Sequence, residues 1–247
     1  RSRIGAHEDV LSMGKLVSRQ LTSGTEQIGA IVFSTSIPQG IDFAHETAEA
    51  LHLSSNTHKM NIHAACSGGV MGLIYIASHP ELQETENLLI ASEVYSPYLV
   101  ETTNDSYKDD PSAADAIFSD GAVAMKFRGR DIYLLSHLFQ RFSEEPDDSI
   151  IMPKSVHYEN ISYPVIADLV NGSKNNKFMQ EGHDVYIKIT KGVPPLIRQV
   201  TEAAGIEGLQ NKLIIPHQGS LAVVRGLSKL MPDYSFLLDI REGNLSS

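Results

Sequence analysis

The chain has little of what marks a secreted, membrane-spanning or nucleic-acid-binding protein. Its 247 residues include no tryptophan and one cysteine, so an internal disulfide is impossible. A lone cysteine fits a reducing compartment. No apolar run approaches the ~20 residues that span a bilayer, and the first residues contain no apolar signal region. We therefore expect a cytoplasmic protein.

Basic character is also lacking. The chain has 20 lysines and arginines against 30 aspartates and glutamates, which gives a net charge of −10. Nucleic acids and anionic membranes attract basic surfaces, so the charge disfavours both as partners. The histidine spacings contain no zinc-binding pattern, and we expect no metal or resident cofactor. A hydrophobic fraction of 42% is that of an ordinary globular protein.

One pattern of elements occurs twice along the chain. Residues 9–21 have helical spacing, and residues 28–36 form a short apolar run typical of a buried strand. Residues 193–204 likewise predict a helix, with Gly205 as its C-cap, and residues 212–220 predict a strand that leads into a loop. The pattern predicts a duplicated α/β architecture.

The duplication extends to the next strand of each half. Residues 59–65 and residues 236–240 both predict strands, and each strand runs into a segment that looks like the opening of a helix. Further strands are predicted at 87–92 and 121–127, and polar loops at 101–116 and 140–155. The second loop divides the chain into predicted halves 1–147 and 148–247.

Three residues follow predicted strands and have side chains suited to chemistry. Cys66 lies where a strand gives way to a helix, and the unpaired N–H groups and dipole of a helix start stabilise a thiolate. The alternative is a buried structural cysteine. His217 follows an apolar strand, at the edge where open α/β sheets collect active-site residues. Asn244 follows Gly243 after another strand, where a simple turn is the alternative.

The segments around these residues resemble a known family. Blocks HAACSG, IFSDGA, IPHQ and GNLSS, which contain Cys66, Asp120, His217 and Asn244, are similar to the signature blocks of β-ketoacyl-acyl-carrier-protein synthase III and keep its order. Residues 1–4, 12–14 and 182–186 are similar to other parts of that family, and 182–186 precede the predicted second-half helix. The resemblance covers nearly the whole chain.

The resemblance implies a thiolase-like fold, a duplicated five-layered αβαβα sandwich that usually forms a homodimer. It implies that Cys66 takes an acyl group from acyl-CoA, while His217 and Asn244 stabilise the enolate that forms when a malonyl-acyl-carrier-protein loses carbon dioxide. The residues predicted to bind substrate are Arg1, Arg3, Gly68, Gly69 and Gln218. For the two glycines, tight packing is the alternative reason for the missing side chain. The family pattern begins before Arg1 and continues beyond Ser247, so we expect halves that are incomplete at both chain ends.

Departures from the family pattern indicate a specialised-metabolism member. Gly69 stands where the family often has an aromatic residue, Gly219-Ser220 follows His217-Gln218 in place of Ala-Asn, and a tryptophan that stacks on the coenzyme in some relatives is missing. Because carrier proteins are acidic, we expect basic residues to form the docking patch; a solvated helix face is the alternative for the same charges. These residues are Arg198, Arg225 and Lys229.

Two other functions use the same residues differently. A non-decarboxylating acyltransferase would pass the acyl group to an amine or a hydroxyl, and an inactive thiolase-like partner subunit would not use it at all. Three further polar residues are predicted to be structural. Glu93 is predicted to be a buried hydrogen-bonding group, with an acid or base role as the alternative, and His63 to lie in the strand before the cysteine. For Asp120, the resemblance implies a structural place near the dimer and active-site floor.

Overall fold

The computed structural model describes residues 8–23, 26–36, 40–95, 119–131, 150–151, 155–158, 161–164, 179–180, 182–203 and 205–238. Five α-helices lie within these ranges: Val10–Arg19 (α1), Phe43–Ala50 (α2), Gly68–Ser78 (α3), Gly182–Ala203 (α4) and Leu221–Leu230 (α5). The ranges contain ten strands: Ile28–Ser34 (β1), His58–Ile62 (β2), Glu86–Glu93 (β3), Gly121–Arg128 (β4), Ile150–Ile151 (β5), Ser155–Tyr158 (β6), Ile161–Pro164 (β7), Met179–Gln180 (β8), Leu213–Ile214 (β9) and Ser235–Phe236 (β10).

The first half is built on a four-stranded sheet in the order β2-β1-β3-β4. Strands β2, β1 and β3 are parallel, and β4 is antiparallel to β3. Parallel sheets need cover on both faces, and this one has it. Ile31 and Phe33 of β1 pack in a cluster with residues of α1 and α2, whereas Ala30 and Val32 pack in a second cluster with Ile76 of α3.

Local signals explain where the first two helices begin. Asp9 caps α1, because its carboxylate accepts the Ser12 backbone N–H at 2.7 Å and its own N–H donates to Ser12 Oγ at 2.8 Å. Asp42 caps α2 by accepting the His45 N–H at 2.9 Å, and it also accepts from the Asn61 amide at 2.7 Å. The second contact joins the start of α2 to β2.

The second half repeats the succession of the first. Helix α4, strand β9, helix α5 and strand β10 follow one another as α1, β1, α2 and β2 do. Both strand pairs are parallel and adjacent. Helix α5 packs closely on α4, since a Cβ at Gly226 would lie 2.9 Å from the Tyr186 hydroxyl. The duplicated α/β architecture predicted from the sequence is confirmed.

Several predicted boundaries were wrong. Helix α4 begins at Gly182, ahead of the predicted start at residue 193, and so contains both Pro194 and Pro195. The segment 182–186, which was expected to precede that helix, is its first turn. Within the predicted loop 140–155, residues 150–151 form strand β5, which pairs with β8. The predicted boundary at 147/148 and the predicted loop 101–116 lie outside the described residues.

Candidate active site

The turn that carries Cys66 stands at the carboxyl end of strand β2. The strand stops at Ile62, residues 65–67 form one 3-10 turn, and α3 starts at Gly68. Ser67 Oγ donates to the Ala64 carbonyl at 2.7 Å and so braces the turn. Cys66 is exposed, which contradicts the alternative of a buried structural cysteine.

The electrostatics at this helix start favour a negatively charged sulfur. The backbone N–H groups in the first turn of a helix have no intrahelical acceptor and carry the positive end of the dipole. No acidic residue lies in the first turn of α3 to compete for them. A thiolate on Cys66 therefore meets a local positive potential, which is the setting of reactive cysteines.

The two glycines after this turn differ in their surroundings. Gly68 is buried, and a Cβ added there would overlap Ser34 Oγ of β1. Gly69 is only half-buried. Both were predicted to bind substrate; for Gly68 the structure has the tight packing that was the alternative reason for a glycine. Substrate contact by either residue stays a prediction.

A buried polar cluster lies where β1 and β3 end. Glu93, at the end of β3, is 1% exposed, and it accepts the Ser36 N–H at 2.6 Å and the Ser36 hydroxyl at 2.8 Å. Thr35 Oγ1 lies 3.4 Å from the same carboxylate. Tyr95 donates its hydroxyl to Ser36 Oγ at 3.1 Å. The predicted hydrogen-bonding role of Glu93 is confirmed.

Two more predicted structural residues join this edge of the sheet. Asp120 is 3% exposed and accepts the Tyr95 backbone N–H at 2.6 Å. His63 Nδ1 lies 3.1 Å from the Thr35 carbonyl oxygen. The cluster thus connects β3 and the residue before β4 to the end of β1, next to the segment that leads to Cys66. The run Ser34-Thr35-Ser36 was overlooked as part of the site, although three hydroxyl residues closing an apolar strand are a visible signal.

His217 follows β9 by three residues and has an exposed side chain. Although the residue is exposed, neighbouring protein atoms desolvate the ring enough to lower the pKa of His217 below its ordinary value of 6.5. Desolvation disfavours the charged imidazolium, so the ring is neutral at pH 7. A neutral imidazole has one N–H donor and one acceptor nitrogen.

The next residue holds the His217 loop in place. Gln218 Nε2 donates to the Pro216 carbonyl at 3.0 Å and to the Leu237 carbonyl at 3.1 Å. These bonds connect the loop after β9 to the residue just past β10. The predicted substrate contact of Gln218 stays a prediction, and the structure gives this amide a role in fixing the loop.

The three basic residues predicted to form a docking patch are exposed on the second-half helices. Arg225 and Lys229 lie four residues apart on α5 and share one face of it. Arg198 lies on α4. Asn244, Arg1 and Arg3 lie outside the described residues, so the meeting of Cys66, His217 and Asn244 in one pocket stays a prediction.

Two general properties of the described residues bear on the kind of site. They contain no group of three or more histidine, cysteine, aspartate or glutamate side chains arranged to hold a metal ion. No helix within the described ranges is long and apolar enough to cross a membrane.

Known proteins share this architecture. No protein-family model matches the chain. Its sequence is 20% identical over 253 aligned positions to a β-ketoacyl-acyl-carrier-protein synthase III of Aquifex aeolicus, covering 99% of this chain and 74% of the relative. A crystal structure of a 3-oxoacyl-acyl-carrier-protein synthase III superposes with a TM-score of 0.72 at 17% identity, covering all of this chain and 76% of that one.

A specialised relative fits as well. The priming β-ketosynthase of the R1128 polyketide pathway superposes with a TM-score of 0.68 at 18% identity, covering 99% of this chain and 71% of that one. The resemblance seen in the sequence motifs is therefore confirmed: this chain has the thiolase-like fold of the β-ketoacyl-acyl-carrier-protein synthases III.

Proposed function

We propose that this chain is a condensing acyltransferase with Cys66 as its nucleophile. One observation carries the proposal: Cys66 is exposed at the start of α3, on the carboxyl edge of a parallel sheet, in the fold of the synthases III. Acyl transfer requires an accessible and partly ionised nucleophile, and the cysteine has the surroundings that provide both.

In the first step the Cys66 thiolate attacks the carbonyl carbon of an acyl-CoA. The coenzyme thiolate leaves, takes up a proton, and an acyl-thioester remains on Cys66. The unpaired N–H groups and the dipole of α3 support the charged nucleophile before attack. Covalent capture divides a difficult condensation into two easier reactions.

In the second step His217 and Asn244 act on a malonyl-carrier-protein. Loss of carbon dioxide leaves an enolate, and an imidazole N–H and a carboxamide N–H donate hydrogen bonds to its oxyanion. The carbanion then attacks the acyl-thioester and releases Cys66 with a 3-oxoacyl product. The lowered pKa of His217 supports this role because a neutral imidazole is retained at pH 7. One such donor is worth about 10²–10³ in rate.

The acceptor arrives on an acidic carrier protein, for which α5 offers exposed positive charge. Arg225 and Lys229 share a helix face, and Arg198 of α4 is a third exposed basic residue. Such a patch acts mainly on the association rate. The double substitution Arg225→Glu with Lys229→Glu reverses the charge of this helix face. It is expected to raise the KM for the carrier substrate and to leave Cys66 acylation by acyl-CoA unchanged.

The remaining parts of the proposal are a homodimer and a cytoplasmic location, without a metal or a resident cofactor. The family resemblance supports the homodimer, and the single cysteine supports a reducing compartment. The departures at Gly69 and Gly219 favour an acyl substrate of specialised metabolism. An acyl-CoA library is therefore the appropriate first screen.

The test is intact-protein mass spectrometry after incubation with the acyl-CoA library. We expect one acyl group to be added to the parent protein and none to Cys66→Ala. Malonyl-carrier-protein is then added, and release of carbon dioxide with a 3-oxoacyl product identifies decarboxylative condensation. Acyl transfer to an amine or hydroxyl without carbon dioxide release would identify the non-decarboxylating alternative. A parent that is never acylated, and that behaves as Cys66→Ala does, would identify an inactive partner subunit.

A further inference from the structure

A buried hydroxyl lies beneath the start of the cysteine helix. Ser34, the last residue of β1, is 0% exposed, and its Oγ has no hydrogen-bond partner among the described residues. Buried hydroxyls nearly always have a partner, so an exception calls for another reason. The Ser34 hydroxyl is directed at Gly68, the first residue of α3, where an added Cβ would overlap Ser34 Oγ and lie 3.3 Å from Ser34 Cβ.

Ser34 cannot move away from Gly68 easily, because the residues that follow it are fixed. The Thr35 N–H donates to the Ile62 carbonyl at 3.1 Å, which holds this part of the chain against the end of β2. The next residue, Ser36, donates twice to buried Glu93 of β3. The end of β1 is therefore held between its two neighbouring strands.

We propose that Ser34 is a positioning residue for Cys66 and acts through Gly68. The proposal deepens the proposed function, since it rests on Cys66 being the nucleophile. The serine hydroxyl fills the space left by the missing Cβ of Gly68, and this contact fixes the distance between the end of β1 and the first residue of α3. The turn of residues 65–67 joins directly to Gly68, so the same contact sets the position of Cys66 relative to the N–H groups of α3.

The first measurement is the pH dependence of iodoacetamide alkylation, which needs no acyl substrate. Cys66 is the only cysteine, so the label reports a single site. In Gly68→Ala the added methyl group displaces the start of α3, and the thiolate loses part of its helix-dipole stabilisation. We expect the apparent thiol pKa to rise and the rate at pH 7 to fall about threefold to thirtyfold, the upper part of the range that a helix terminus provides.

The second measurement is rescue by the complementary substitution. The double variant Ser34→Gly with Gly68→Ala removes the hydroxymethyl group that the new methyl would meet. We expect its alkylation profile to return to within about twofold of the parent, because the effect depends on the fit of the pair. Ser34→Thr enlarges the other member of the pair and is expected to shift the profile in the same direction as Gly68→Ala.

Gly72→Ala is the matched control. Gly72 lies one turn further along α3, is also buried, and a Cβ there would lie 2.5 Å from Leu89 Cδ1 and 3.2 Å from Val32 Cγ1. The nearest atoms to this methyl group belong to Leu89 and Val32 and not to Ser34, so the substitution disturbs the core away from the Ser34–Gly68 contact. We expect a lower thermal midpoint with an alkylation profile within about twofold of the parent.

The proposal is overturned if Gly72→Ala shifts the profile as far as Gly68→Ala, or if the folded double variant shows no recovery. An unchanged profile in Gly68→Ala would also overturn it. If Gly68→Ala does not fold, Ser34→Thr and the double variant decide the matter in the same way. A parent protein that acyl-CoA never acylates contradicts the proposed function alone, since the alkylation series still reports on the Ser34–Gly68 contact.

Discussion

The buried carboxylate of Glu93 offers a quantitative test of how the sheet edge beside Cys66 is held. Glu93 is 1% exposed and accepts two short hydrogen bonds from Ser36, at 2.6 Å from the backbone N–H and 2.8 Å from the hydroxyl. In Glu93→Ala both donors of half-buried Ser36 lose this acceptor. The substitution therefore removes both bonds by which Glu93 holds Ser36.

The expected magnitude follows from the number and kind of these bonds. A hydrogen bond to a charged group contributes about 1.5–3 kcal/mol net, so losing two such bonds is expected to lower the free energy of unfolding by about 3–6 kcal/mol. At roughly 2–4 °C per kcal/mol for a protein of this size, the thermal midpoint falls by roughly 6–24 °C. Glu93→Gln keeps one acceptor oxygen for Ser36 but replaces the other with an NH₂ group. We expect a decrease in the thermal midpoint that lies between those of the parent and Glu93→Ala.

Glu86→Ala is the control, because Glu86 is the first residue of the same strand. Its carboxylate pairs with Arg128 Nε at 2.9 Å near the surface, with 35% of the side chain exposed. Exposed ion pairs contribute about 0–1 kcal/mol, so the midpoint should fall by no more than about 4 °C. Calorimetry or circular dichroism on all three variants gives the comparison. Equal shifts in Glu93→Ala and Glu86→Ala would refute the reasoning.

Two further predictions concern the second half. Gly226→Ala is expected to destabilise the protein by about 1–3 kcal/mol, because the new methyl group would lie 2.9 Å from the Tyr186 hydroxyl. Gly192→Ala on α4 places its methyl group where no atom lies within 4 Å and should stabilise the protein by up to ~1 kcal/mol. Urea titration of both variants measures the two effects. Since the pKa of His217 is lowered in the folded protein, its ring should stay neutral to below pH 6.5. The unfolded chain binds the proton more readily, so the free energy of unfolding should decrease as the pH falls from 6.5 through the folded pKa. Nuclear magnetic resonance titration of the imidazole checks this, and a pKa at or above 6.5 would contradict it.

The elements with strong local patterns could be predicted from the sequence. Strands β1 and β3 are continuous apolar runs because both faces of the sheet are covered, and α1 has a cap and an apolar stripe. Helix α2 lies outside the predicted elements because its signal is weak. It has eight residues, and of the four that are buried only Phe43 is large, the others being Ala44, Thr47 and Ala48.

The start of α4 shows tertiary contacts overriding a local signal. Pro194 and Pro195 favour a helix that begins just before them, since proline suits a first turn and lacks the N–H that an interior position needs. The helix nevertheless starts at Gly182. Its first turns contain Tyr186 and Thr190, which pack against Gly226 of α5. That contact joins parts of the chain that no local pattern connects.

The candidate site likewise contains one residue that the sequence predicts and supporting residues that it does not. The place of Cys66 was predictable, because a β-rich run followed by Ser67-Gly68-Gly69 is a local pattern. The groups that support it were not, since Ser36 reaches Glu93 across 57 residues of sequence. Ser34 and Gly68 likewise become a matched pair only when β1 lies beneath the start of α3.

The repeated unit explains how one architecture presents two different candidate site residues. Parallel strands end at one edge of a sheet, so each repeat presents the loop after its first strand and the loop after its second strand at that edge. In the first repeat, the loop after β1 is fixed by the bonds of Ser36 to buried Glu93, and exposed Cys66 follows β2. In the second repeat, the loop after β9 presents exposed His217 and is fixed by Gln218 instead. In each repeat, hydrogen bonds therefore fix the loop after the first strand at the edge where a candidate site residue is exposed.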